Sequence, residues 1–409
     1  MITLKPFKAI RPPRDKAYLV ATRSYLTYSD AELDDKLKNN PYTFLHVINP
    51  KDGRQLPFGY KKYEKVRKAF EGFEAEGTFM QDEEPHFYIY RQVKDGNEYI
   101  GLIGAVSVKD YLEGRVKKHE KTLTAREKMF TDYLEVTGFN AEPVLLTYQD
   151  DLKINQLFAR YIETRAEYEF TSTDRVLHQL WLVDGKEDIS LVEKRFAQQE
   201  ALYIADGHHR SASSAALHKR MLAADRSTHG DAHFMAFLIG EGQMKVYEFN
   251  RLVKGYNGKH PAEVLSELQE HFIVEPKGEK AYKPDFWHEI AAYFNKQWYK
   301  LVPKTGSFDP QHPIEHLDTQ ILSKLILKPV LGIENLKTDN RISFLPGTES
   351  LEALQAKVDN GSCDFAFALH PTSIEQIKMV ADKGKTMPPK STYIEPKLRS
   401  GLLIYEIGS

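Results

Sequence analysis

Residues 200–222 constrain the chain more than any other stretch. Glu200 to Ala205 reads as a short buried strand centred on Leu202, Tyr203 and Ile204. Ser211 to Ala224 is rich in Ala, Leu and Met, which are strong helix formers. Between them stands Asp206-Gly207-His208-His209-Arg210, so a polar pentapeptide occupies a strand-to-helix junction. Backbone N–H groups are left open at a helix N-terminus, and the helix dipole favours negative charge there. Gly207 permits a positive φ and close approach of a ligand, while two imidazoles and a guanidinium add donors. The expectation is a cradle for phosphate or carboxylate. Asp206 stands beside it as a base or a group that helps hold a metal. Asp-Gly before a helix is also an ordinary turn and cap; the adjacent His pair with Arg is what argues for chemistry.

The rest of the chain mixes helices and strands. The spacing predicts strands at Ala17–Ala21, Thr43–Ile48, Val144–Thr147, Tyr168–Thr171, Val176–Val183, Trp298–Val302, Arg341–Leu345, Asp364–Leu369 and Gly401–Ile407. Hairpins are expected at His86–Val93 with Tyr99–Val108, around Asp95-Gly96, and at Ala232–Ile239 with Met244–Phe249. Helices are expected after the capping box Ser29-Asp30-Ala31-Glu32, at Tyr60–Glu76, after a second box at Thr124–Glu127, and at Asp151–Glu163 and Asp188–Gln199. Further helices are read at Pro261–Phe272, Phe286–Phe294, Ile314–Leu327, Thr348–Val358 and, from a box at Thr372–Glu375, Thr372–Ala381. This pattern predicts an α+β (mixed α/β) fold with mixed sheets and hairpins, not a clean doubly wound parallel sheet. A division into 1–258, carrying the pentapeptide, and 259–409, an α+β region docking on it, is the expected domain organisation.

Two other stretches carry candidate site residues. Arg115, Lys117, Lys118, His119, Glu120 and Lys121 crowd into a basic loop suited to an anionic ligand and a general base. His119-Glu120 lacks the second His of a zincin helix. Near the C-terminus, Met387-Pro388-Pro389-Lys390-Ser391-Thr392-Tyr393 is a Pro-stiffened loop with a Lys and two hydroxyls; Lys390, Ser391, Thr392 and the later Lys397 are phosphate-binding candidates. Neither a Walker nor a Rossmann glycine loop follows a strand.

Charge and cysteine usage exclude some classes. With 56 basic and 58 acidic residues the net charge is −2, which argues against a surface built wholly to grip nucleic acid. The single cysteine, Cys363, rules out an intrachain disulfide and a cysteine zinc cluster, and its apolar surroundings predict a buried, inert thiol. No run approaches the ~20 apolar residues of a membrane helix, so a soluble cytoplasmic protein is the default expectation.

Several motifs, in order, resemble the domain of unknown function family 1015. They are Pro6-Phe7, Asn40-Pro41 with Phe44-Leu45-His46-Val47, Tyr88-Ile89-Tyr90-Arg91-Gln92 and Lys118-His119-Glu120-Lys121-Thr122. They continue with Asn140-Ala141-Glu142-Pro143, Tyr203 to Arg210, Met387 to Thr392 and Pro396-Lys397. Arg23-Ser24-Tyr25 departs from the family's Pro-Pro-Tyr-Asp stretch. The family name carries no chemistry. The pentapeptide Asp206–Arg210 is also similar to the signature of free-serine kinases in the ParB and sulfiredoxin superfamily, where such a turn holds nucleotide phosphates. That resemblance implies an upstream Glu assisting transfer, with Glu120 first and Glu142 second. Sulfiredoxin chemistry needs a cysteine that residues 206–210 lack.

The leading expectation is therefore phosphoryl transfer on a small phosphorylated or hydroxylated metabolite, L-serine or phosphoserine, by a phosphotransferase or phosphatase. Asp206, Glu120 and His208 are the expected catalytic residues. Gly207, His209, Arg210, Lys118, His119, Lys390, Ser391 and Thr392 would bind phosphate or nucleotide. Mg²⁺ and a nucleotide (ATP or ADP) or inorganic phosphate are the expected cofactors. The alternatives are a ParB-like nucleotide- or nucleic-acid-associated protein and a non-catalytic module for an anionic metabolite.

Overall fold

The computed structural model describes residues 1–51 and 56–408. The fold is α+β, with two compact units that the chain enters more than once. The first comprises residues 1–117, 121–244 and 396–409; the second comprises 118–120 and 245–395.

The first unit is built on a nine-stranded mixed sheet. Its strand order is Val116–Lys117, Leu202–Asp206, Val144–Tyr148, His233–Gly240, Asn97–Ser107, Phe87–Lys94, Leu177–Val183 and Tyr168–Thr171, with Leu4–Lys5 pairing on Asn97–Ser107. The hairpin at Asp95-Gly96 forms as expected, with both residues at positive φ. Two neighbours, His233–Gly240 on Val144–Tyr148 and Leu202–Asp206 on Val116–Lys117, run parallel. Strands buried on both faces, such as His233–Gly240, read as continuous apolar runs rather than alternating ones. One core gathers Ile89, Leu102, Leu146, Ile204 and Leu238 from these strands with Phe158, Phe196 and Ala215 from helices.

The second unit has a six-stranded sheet in the order Phe272–Gly278, Gln297–Pro303, Ile290–Phe294, Phe365–Ala368, Phe249–Val253, Ile342–Pro346. Its core includes Leu301, Phe294, Phe367 and Val253 with Leu268, Ile321 and Ile326. Cys363 is buried, as its apolar neighbours predict.

Several sequence expectations are corrected. Ala17–Val20 is one helical turn, not a strand, and so is Leu45–Ile48, which buries Leu45 and Val47. Apolar runs this short fit either state, and packing decides between them. Phe286–Phe294 is not a helix: Ile290–Phe294 is a strand that turns back through Asn295-Lys296, both at positive φ, into Gln297–Pro303. A turn of that kind usually carries Gly at its second position, and Lys296 hides it. The expected second hairpin does not form. His233–Gly240 pairs inside the first sheet, whereas Lys245–Tyr247 pairs with Tyr393–Glu395. Thr124 is the first residue of its helix rather than its cap; Leu123 stands at the cap with no side-chain bond. The box at 372–375 shifts by one, with Ser373 and Gln376 reciprocating. Of Gly401–Ile407 only Tyr405–Glu406 is a strand, paired with Phe139–Asn140.

Candidate active site

The strand Leu202–Asp206 runs antiparallel to Val144–Tyr148, and its register slips at Ala205: Ile204 faces Leu146 and Asp206 faces Leu145. The extra residue is a β-bulge, a device that re-aims a side chain at the end of a strand. Gly207 follows at φ 101° and ψ 27°, backbone that a residue with a Cβ avoids. The helix then begins at His208, three residues earlier than the sequence suggests, and runs for 16 residues to Ala223. Its N-cap is Gly207, with no side chain capping it. Its residues Ser211, Ala212, Ser213, Ser214 and Ala215 are small and buried all round the helix, which packs on Thr124–Thr137. Ser213 Oγ donates to the Glu127 carbonyl at 3.3 Å there.

This geometry places Asp206 between two cations of the same unit. Lys397 Nζ lies 3.0 Å from its Oδ2, and Arg210 Nη2 3.8 Å from its Oδ1. Burial pushes the carboxyl up, but Lys397 and Arg210, with His208 behind them, outweigh it and hold it at about 2. Because 42% of the Asp206 side chain is open to solvent, these pairs are screened and act on protonation state more than on stability. Arg210 is fixed from its other side: Nη2 meets Glu142 Oε1 at 3.1 Å, and Nη1 donates to the Pro143 carbonyl. The antiparallel register explains this, since the 206 end of one strand adjoins the start of the other. His208 is buried, and the His209 ring sits 6.5 Å from Phe130.

Behind Lys397 runs a buried polar chain. Gln92 Nε2 donates to the Lys397 carbonyl at 3.3 Å and to Tyr90 Oη at 3.1 Å. Tyr90 Oη is 2.7 Å from His178 Nδ1, and Arg399 Nε donates to His178 Nε2 at 3.3 Å. Arg399 Nη2 in turn holds both oxygens of Asp174 at 2.7 Å. Burial and the Arg399 charge keep His178 down at about 3, so it is neutral, with Nδ1 the protonated nitrogen facing Tyr90. The sequence reading found Lys397 but not the Gln92–Tyr90–His178–Arg399 chain that anchors its backbone; the polar residues on an otherwise apolar strand were the available signal.

Of the predicted site residues, the first unit therefore brings together Asp206, Gly207, His208, His209 and Arg210, and adds Glu142 and Lys397. The second unit holds Lys118, His119, Glu120, Lys390, Ser391 and Thr392. There the Met387 N–H donates to the His119 carbonyl at 2.8 Å, so two motifs far apart in sequence meet. Lys390 is exposed, at a left-handed φ of 58°, and its carbonyl accepts from the fully buried Arg251 at 3.0 Å. The Ser391 hydroxyl is buried and committed to the loop itself, 2.7 Å from the Pro388 carbonyl and 3.1 Å from Thr319 Oγ1. Among the described residues no helix is long and apolar enough to cross a membrane.

Comparison with known proteins bears on the family. Residues 4–320 match the family described as "Protein of unknown function (DUF1015)". The chain belongs to this family. No curated protein matches it. Among solved structures it is similar to a free serine kinase mutant in complex with AMP, at 13% identity and TM-score 0.39, covering 75% of this chain and 91% of that one. It is also similar to C-terminally truncated SbnI from Staphylococcus aureus, at 15% identity and TM-score 0.38, covering 73% of this chain and 85% of that one. A conserved hypothetical protein from Pyrococcus furiosus gives 14% identity and TM-score 0.34, covering 74% and 94%.

Proposed function

We propose that this DUF1015 protein is a phosphoryl-transfer enzyme acting on a small hydroxylated metabolite. L-serine and phosphoserine are the proposed pair, with ATP, ADP or inorganic phosphate on the other side of the exchange. The observation that carries the reading is the ionised Asp206 carboxylate, set between Lys397 and Arg210 beside an uncapped helix N-terminus. Phosphoryl transfer is mostly positioning and charge neutralisation. An arriving phosphate would share both cations, the first N–H groups of the helix and the donors of His208 and His209. Asp206, held at about 2, is a weak base in the resting site. Its role is to orient the attacking hydroxyl and take its proton as the new P–O bond forms and the bond to the leaving group breaks. Glu142, fixed on Arg210, is the proposed assisting carboxylate of the first unit. Lys118, His119, Glu120, Lys390, Ser391 and Thr392 belong to the second unit, and no step of this reading is routed through them. Mg²⁺ suits a site offering one or two partly open carboxylates and phosphate oxygens. Asp206 and Glu142 are the first unit's candidates to hold it, at 42% and 35% side-chain exposure.

The serine part of the reading comes from the likeness of Asp206–Arg210 to the free-serine kinase signature. Mass spectrometry of the purified protein incubated with Mg²⁺, L-serine and ATP, ADP or pyrophosphate, and separately with phosphoserine alone, tests it. Phosphoserine formed, or serine released, is the expected result. Tight phosphoserine binding with no turnover in any mixture would replace the enzyme with a binding module.

A further inference from the structure

The first unit also contains a cavity of about 260 Å³ that meets the site above at Arg210 and Glu142 and whose aromatic wall that reading does not use. Much of its lining is aromatic. Phe44 and Phe139 cross with ring centroids 6.5 Å apart, and Tyr133 meets Phe139 edge-on at 6.4 Å. An apolar cavity of about 150 Å³ suffices for a benzene ring, so this one has room for a larger flat body. Two polar groups in the wall point to what else that body carries. Lys62 is only 9% exposed, its ammonium lies over the Phe58 ring at 4.7 Å, and among the described residues no carboxylate pairs with it. A cation on a largely buried side chain, with no carboxylate on it among the described residues, favours an anionic partner. Asn140 is 8% exposed, and its Nδ2 has no acceptor among the described residues. Arg210, by contrast, is already matched by Glu142 where both reach the cavity.

We propose that this cavity is a binding site for a flat aromatic anion. Its ring packs among Phe44, Tyr133 and Phe139, its carboxylate or phosphate sits on the Lys62 ammonium, and Asn140 Nδ2 donates to a second acceptor on the ligand. A ring satisfies the aromatic wall by dispersion and edge contacts, and the anion supplies a charge that no described carboxylate places on Lys62. The inference rests on Lys62, Asn140 and the aromatic wall, none of which the phosphoryl-transfer reading uses, although the cavity borders that site at Arg210 and Glu142.

Calorimetric titration of the full chain with indole-3-acetate, 1-naphthyl phosphate and neutral indole tests it, with the methyl resonance of Met129, which lines the cavity, reporting entry. One of the two anions binds, shifts that resonance, and tells carboxylate from phosphate. Lys62→Met weakens that anion about 10- to 100-fold, the scale of a hydrogen bond to a charged group, leaves indole unchanged, and Lys62→Arg restores most of the loss. The proposal is overturned if neither anion binds the wild-type chain, if binding leaves Met129 unmoved, or if Lys62→Met weakens indole as much as the anion.

Discussion

Replacing Gly207 by Ala separates two things that the turn does. The first is conformational: at φ 101° a Cβ is disfavoured, at a cost of about 1–2 kcal/mol. The second is local. A Cβ built on Gly207 lies 3.2 Å from Arg210 Cζ and 3.3 Å from its Nε, so the guanidinium has to give by a few tenths of an ångström. Its bonds to Glu142 and the Pro143 carbonyl are then stretched. A hydrogen bond to a charged group is worth about 1.5–3 kcal/mol. Gly114→Ala is the control: it sits at φ 76° in the same unit with nothing within 4 Å of its would-be Cβ, so it incurs the first cost alone. In urea denaturation Gly207→Ala should lose more than Gly114→Ala, by up to about 3 kcal/mol if the hydrogen bonds to the guanidinium are lost entirely. It should also lose phosphoserine binding, while Gly114→Ala keeps it. Equal destabilisation of the two variants, with binding intact in both, would refute the argument that the bare Gly207 backbone exists to let Arg210 close over the turn.

Other consequences follow from the electrostatics. Because the folded Asp206 carboxyl lies below its ordinary value, it contributes stability above about pH 4 that is lost as pH falls toward about 2. Lys397→Met removes the leading cause of that depression, so the Asp206 carboxyl-carbon NMR titration should move to higher pH; an unmoved midpoint would sink the ion-pair assignment. Asp318 behaves oppositely. Burial raises it to about 7 despite the His288 N–H and Arg251, so it favours the fold less and less as pH rises from about 4 to about 7. Asp318→Asn keeps an acceptor for His288 and should flatten the stability–pH curve over that window; an unchanged slope there would count against it. Burial pushes the Cys363 thiol up to about 11, so a thiol reagent should label it only on unfolding; rapid labelling of the native chain would contradict its placement.

The sequence revealed the fold class and the pentapeptide's place because both rest on local signals. Long apolar runs, the Asp95-Gly96 turn and the Ser29 capping box are decided by a few neighbouring residues, and the structure carries them as read. What escaped depended on distant partners. Leu45–Ile48 is helical because of what it packs against, and Lys245–Tyr247 leaves its neighbour in sequence to pair with Tyr393–Glu395. The same holds at the candidate site. Asp206, Gly207 and Arg210 are adjacent and legible. That Lys397 is 191 residues away and yet 3.0 Å from Asp206 is a product of the return of residues 396–409 to the first unit. Glu142 could be placed on Arg210 only once the antiparallel register of the two strands was known.

The most direct test of the central claim is phosphorus NMR on wild type and Asp206→Asn side by side, each with Mg²⁺ and L-serine plus ATP, ADP or pyrophosphate, and with phosphoserine alone. The account predicts a phosphoserine signal, or free phosphate released from phosphoserine, in the wild-type tubes. In Asp206→Asn that change disappears while added phosphoserine still broadens on binding. Unchanged wild-type spectra in every tube, or turnover that survives in Asp206→Asn, would contradict it.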